Sequence, residues 1–105
     1  MAWIWLFSAG LIEVFWATML KLSDGFHNHG YAVLTLIGMA ASYVFLAQAT
    51  KTLPLGTSYA IWTGIGALGA VLVGIVVFKE PATAARIFFA ALLLAGIVGL
   101  KITGG

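Results

Sequence analysis

The sequence predicts an all-α integral membrane protein, with four transmembrane helices in up-down-up-down order forming a single domain over residues 1–105. Three observations predict it. The composition is 63% hydrophobic and only 8% charged, which is that of a bilayer protein and not of a water-soluble one. The apolar residues gather into four stretches, Ala2–Leu20, Tyr31–Ala49, Ser58–Phe78 and Arg86–Ile102. Each is close to the roughly 20 residues that a helix needs to cross about 30 Å of hydrocarbon. The segments between them are short and carry turn chemistry, so consecutive helices have to run antiparallel.

The first stretch is read as a retained helix, because no basic residues precede it, Glu13 sits in its middle and further spans follow. Its connection to the second, Lys21–Gly30, holds Ser23-Asp24-Gly25 and His27-Asn28-His29-Gly30, residue types that favour turns. The second stretch gives way to Gln48–Thr57, with Lys51 and the Pro54/Gly56 pair. Thr57 or Ser58 is placed to cap the third helix with its hydroxyl. Lys79-Glu80-Pro81 closes the third. Pro81 is expected to open the fourth, since a first-turn proline forfeits no helical hydrogen bond.

Composition also excludes whole classes of function. There is no cysteine, hence no disulfide framework and no thiolate chemistry. The net charge of +2 comes from five basic and three acidic residues, all but Glu13 flanking the apolar stretches or at their ends, without the basic stripe that nucleic acid requires. No nucleophile–base pair, phosphate loop or cofactor motif occurs, so neither enzymatic activity nor a cofactor is expected. His27 and His29, with Asp24 nearby, fall short of a metal-ligand set, and no metal site is expected.

Charge also bears on orientation. Alternating helices put the N-terminus, Lys51 and Lys101 on one side, with Lys21, Lys79 and Arg86 on the other, so the positive-inside bias is close to zero. Insertion both ways up is therefore open to this chain. Size points the same way. Transporters commonly place the substrate site between inverted repeats near the midplane; four helices of one orientation supply one half, and two oppositely inserted copies would supply both.

Among candidate site residues, Glu13 comes first. A carboxylate at mid-membrane depth costs a few kcal/mol on insertion scales and ordinarily faces a cavity, an ion path or a partner. Gly10, Glu13, Trp16 and Ala17 share one helical face, and a carboxylate beside an indole makes a cradle for a cation. On the second helix Gly38, Ser42 and Leu46 form a stripe, and the Ser42 hydroxyl has two options: the Glu13 carboxylate, or its own carbonyl one turn back. On the third, Tyr59 and Trp62 carry polar tips that need partners. Gly64-Ile65-Gly66 follows, either a hinge or a packing site. Gly66, Ala70 and Gly74 then make a small-residue face suited to close packing. A second such face, Ala91, Ala95 and Gly99, marks the fourth helix as a dimerisation helix, since it carries no polar residue between Arg86 and Lys101.

Glu13-Val14 with Trp16, Gly38-Met39 with Ser42, Lys51-Thr52-Leu53-Pro54 and the run Tyr59-Ala60-Ile61-Trp62-Thr63-Gly64-Ile65-Gly66-Ala67-Leu68-Gly69 together resemble the small multidrug resistance family. More narrowly they resemble its guanidinium exporter subtype. The resemblance covers essentially the whole chain, most specifically at Tyr59–Gly69. It implies a bacterial inner-membrane, multi-pass protein working as an antiparallel, dual-topology homodimer in membrane lipid. It also implies a proton-coupled antiporter in which Glu13 of both subunits binds either protons or guanidinium and related small cations. Trp16, Ser42, Tyr59 and Trp62 would then line the pocket and bond the carboxylate, Gly10 would pack beneath it, and Gly64-Ile65-Gly66 would match a kinked third helix. Trp16 carries much of the subtype resemblance, because quaternary-ammonium exporters usually have a small residue there. Ser58 stands where Ala is expected, and Tyr43 where Phe is frequent. Two other functions compete with this one: a broad exporter of quaternary ammonium and aromatic cations, and a non-transporting subunit of a larger membrane complex.

Overall fold

The computed structural model describes residues 2–104. Four α-helices account for most of them: α1 (Ala2–Leu22), α2 (His29–Ala49), α3 (Leu55–Val76) and α4 (Ala84–Gly104). All four are long and apolar enough to cross a membrane. At 1.5 Å per residue each is about 30 Å long, the thickness of the hydrocarbon core.

The turns explain where the helices start and stop. After α1, Ser23 folds inward and is fully buried. Its hydroxyl donates to the Leu20 carbonyl at 2.6 Å and accepts from the Phe26 amide at 3.2 Å. Asp24, Gly25 and Phe26 all have positive φ, and this left-handed run reverses the chain within a few residues. Asn28 then caps α2, its side chain accepting from the Tyr31 amide.

Two capping expectations are corrected. Helix α3 begins at Leu55, ahead of Thr57 and Ser58, which lie inside it. Pro54, at φ −59°, occupies the N-cap position and no side chain caps the end; the proline ring has already set the backbone for the helix to follow. Nor does Pro81 open α4. The chain stays irregular to Thr83, whose hydroxyl oxygen accepts from the Arg86 amide at 3.2 Å, so a side-chain cap fixes the start that the proline was expected to fix.

The four helices form a thin layer and not a closed four-helix bundle. The Cα envelope measures 40 × 34 × 16 Å, and the packing order across the layer is α2–α1–α3–α4. Helix α1 is therefore central, flanked antiparallel by α2 and parallel by α3. Despite being consecutive, α2 and α3 meet only weakly; their link is Trp62, which reaches Ser42 and lies beside Tyr43. Helix α4 hangs on the outer side of α3. Its one buried residue among those described is Ile97, which with Leu93 packs on Gly64.

The small core follows from this order. Leu6, Ala9 and Ile61 are completely buried and Trp62 nearly so, all at the junction of α1, α2 and α3. Elsewhere long apolar side chains such as Leu11, Phe88, Phe89 and Ile102 are exposed, as expected where lipid or another subunit is the solvent.

Candidate functional site

Close approach of backbones builds the site. On the α1–α2 side, a Cβ on Gly38 would stand 2.7 Å from the Trp16 Cβ and 3.2 Å from the Phe15 ring. Gly38 thus lets the two helices meet at the level of Trp16. One turn further, the buried Ser42 hydroxyl donates across to the Ala9 carbonyl of α1 at 2.8 Å and accepts from the Trp62 indole N–H at 2.9 Å. Neither option foreseen for Ser42 is taken: it bonds neither Glu13 nor its own helix. An acceptor on the facing helix outcompetes the local carbonyl because it also places Trp62, so one hydroxyl joins three helices.

The α1–α3 side closes over three glycines. Gly10 receives Ile65, with a Cβ-to-side-chain approach of 2.7 Å; Gly69 receives Val14; Gly66 receives the carboxylate of Glu13. The Glu13 side chain therefore lies in a notch on α3 that exists only because residue 66 has no side chain. One of its oxygens, Oε1, is buried and has no hydrogen-bond partner among the described residues. Gly64 faces the other way, with a Cβ there 3.0 Å from Ile97 of α4. The two glycines of Gly64-Ile65-Gly66 thus serve contacts on opposite sides of α3, and the helix runs unbroken through them.

The remaining candidates divide. Trp16 is partly buried, anchored at its Cβ against α2, and its indole N–H has no partner. Tyr59 is exposed in the single chain and stacks on Trp62, with ring centroids 5.6 Å apart; Tyr43 flanks the same indole at 5.5 Å. Trp62 is thus held by its N–H and by rings on two sides. Gly10 lies on the seam one turn from Glu13. Ala91 and Ala95 are exposed, and a Cβ at Gly99 would meet nothing within 4 Å. This face lies two residues, about 200° of helix, from the Leu93/Ile97 side that packs on α3, so the chain itself leaves it uncovered.

Sequence reasoning missed the contributions of Ala9 and Gly69. Ala9 acts through its carbonyl, which no side-chain pattern reports. Gly69 carried a usable signal, since it stands three residues after Gly66 on the same face.

A thin layer of four spanning helices, with a carboxylate set at mid-depth against a glycine notch, defines a small multi-pass membrane protein. The model of the Small Multidrug Resistance protein family matches residues 1–93. The chain is 55% identical over 102 residues to a guanidinium exporter of Yersinia pseudotuberculosis, covering 97% of this chain and 98% of that one. It is 48% identical over 103 residues to a guanidinium exporter of Salmonella typhimurium and 47% identical over 103 residues to one of Citrobacter freundii, with 98% of each chain covered in both cases. The protein belongs to the small multidrug resistance family.

Proposed function

We propose that this protein exports guanidinium across the bacterial inner membrane in exchange for protons, as an antiparallel dual-topology homodimer. The observation that carries the reading is the Glu13 carboxylate, set within the membrane with a buried oxygen that nothing among the described residues satisfies. A group so placed calls for a proton or a cation from outside the chain. The relatives named guanidinium exporters support guanidinium as that cation. A planar guanidinium offers paired N–H donors that match a carboxylate in fork geometry.

The chemistry is competition for one carboxylate. With a proton bound, Glu13 is neutral and can rest against Gly66; with guanidinium bound, the ion pair is neutral as a whole. Only these two loaded states should tolerate movement of the site from one face of the membrane to the other, which couples the two fluxes. Trp16, with its unpartnered N–H, and Tyr59 and Trp62, with stacked rings, supply aromatic surface for the cation. Ser42 holds Trp62 in place. The bare Ala91/Ala95/Gly99 face of α4 suits contact with a second copy, and that copy, inverted, would supply the second half of the pathway.

Current recorded from proteoliposomes on adding guanidinium tests the reading. A proton-dependent current that disappears in Glu13→Gln is the expected result. A current with bulky quaternary ammonium ions and none with guanidinium would move the chain to the drug-exporting branch. Proton-driven guanidinium flux persisting in Glu13→Gln would overturn the mechanism.

A further inference from the structure

The α1–α3 seam continues past Glu13 to the end of the layer, where it opens into a cavity of about 300 Å³. The cavity begins one helical turn beyond the carboxylate: Ala17 follows Glu13 by four residues on α1, and Ala70 follows Gly66 by four on α3. At its mouth stands Glu80. Lys79 adopts φ 55°, which turns the Glu80 amide back to the Gly74 carbonyl at 3.0 Å and lays its carboxylate over Gly74. The Arg86 guanidinium occupies this carboxylate, with Nη2 donating to Oε1 at 3.3 Å and Nη1 donating to the Pro81 carbonyl at 2.6 Å. Lys21 approaches the other oxygen at 3.9 Å and sits 5.0 Å from the centroid of the Phe78 ring.

This mouth is therefore already a guanidinium-binding site, and its ligand is a tethered one. A carboxylate and a carbonyl hold two nitrogens of one planar cation, and an aromatic ring nearby already takes a cation on its face. Both partners are partly exposed, with relative side-chain accessibilities of 33% for Arg86 and 37% for Glu80, so the pair is weak enough to exchange. We propose that Glu80 is an outer binding site for guanidinium, at which the free cation displaces Arg86 before passing along the seam to Glu13. The inference rests on guanidinium export being the function of Glu13. The Arg86 side chain then acts as a plug keyed to substrates that share its head group: a cation without N–H donors cannot reproduce its two hydrogen bonds to the carboxylate and carbonyl.

The test separates the outer site from the inner one. Full-length Glu13→Gln protein in detergent, with the inner carboxylate removed, is titrated with guanidinium chloride and with sodium chloride at equal ionic strength. NMR follows the backbone amides of residues 79, 80 and 82–86 and the Arg86 Nε–H. The expected result is a saturable shift with guanidinium alone, in the millimolar range set by a tethered competitor. Adding Glu80→Gln should abolish it. Adding Arg86→Ala should tighten it about two- to fivefold, the competition a surface ion pair can exert, and no merely structural role of the pair predicts tighter binding. Equal shifts with sodium, shifts that survive Glu80→Gln, or weaker binding in Arg86→Ala would each overturn the proposal. The outcome is independent of transport. Absence of guanidinium current in the unmodified protein would sink the export reading while Glu80-dependent binding stood, and the reverse pattern would sink the outer site alone.

Discussion

Helix α3 offers two glycine notches two turns apart, at Gly66 and Gly74, and each is filled by a glutamate side chain. The two are satisfied in opposite ways. Glu80 comes from a loop, lies at the water-facing end of the layer and is paired by Arg86 and Lys21. Glu13 comes from a helix, lies within the membrane and has one buried oxygen with no hydrogen-bond partner among the described residues. The chain balances the carboxylate that water could have balanced, and leaves without a partner, among the described residues, an oxygen that is buried. A buried acceptor without a partner is costly, so the arrangement makes sense where the partner arrives and leaves. The same geometry holds a carboxylate that the chain has already paired at one notch and a carboxylate left open at the other.

The comparison breaks most sharply under the same substitution at the two notches. In Gly66→Ala the new methyl overlaps the Glu13 carboxylate, which then has to shift from its notch. Displacement of a binding group by about 1 Å can cost on the order of a hundredfold in rate, so guanidinium flux in proteoliposomes should fall by roughly ten- to a hundredfold. Folding should survive, because alanine is the better helix former by about 1 kcal/mol. Flux within twofold of the unmodified protein would show that the notch does not position the carboxylate.

Ser42→Ala probes the other side of α1. It leaves the Trp62 indole N–H buried and unpaired, at a cost of about 1–2 kcal/mol, a loss softened where membrane reference states find other partners. Thermal unfolding in detergent should register that loss. A double-mutant cycle with Trp62→Phe should show coupling, since the second change removes the orphaned donor; strict additivity would mean that the bond contributes nothing.

Ser58 sharpens the contrast between a useful and an idle unpaired oxygen. Its hydroxyl is buried without a partner, as is Glu13 Oε1, but it is neutral and lies two turns from the carboxylate along α3. Ser58→Ala should be neutral or stabilise by up to about 1 kcal/mol, with unchanged guanidinium flux; a clear loss of flux would give the hydroxyl a task. The smallest effect is expected from Gly74→Ala. There the overlapping group is the end of a flexible, partly exposed side chain that can swing into water, and stability should change by no more than about 0.5 kcal/mol. A loss of flux as large as that of Gly66→Ala would erase the distinction between the two notches.

Much of this was legible before any coordinates. Glu13 announced itself because a charge within a long apolar stretch has few explanations. Gly66 and Gly64 were visible as a pair, although their contacts on opposite sides of α3 were not. Ser42 was visible as a mid-helix hydroxyl, but both acceptors considered for it were ones that helical spacing can reach. The Ala9 carbonyl belongs to another helix, and every residue has a carbonyl, so no pattern singles one out. The pairing of Glu80 with Arg86 was equally hidden: the residues are six apart across a proline, and a left-handed Lys79 brings them together.

By itself the sequence determined the four spans and their alternation, because the length and polarity of each segment decide whether it can leave water. It also determined that a carboxylate would lie at mid-depth, since that follows from counting residues along a helix. Tertiary structure decided the order α2–α1–α3–α4, the openness of the layer, and which glycine receives which glutamate. Those outcomes depend on which faces approach within van der Waals distance. In a chain apolar on nearly every face the hydrophobic pattern no longer distinguishes inside from outside, and the choice falls to small residues and a few hydrogen bonds.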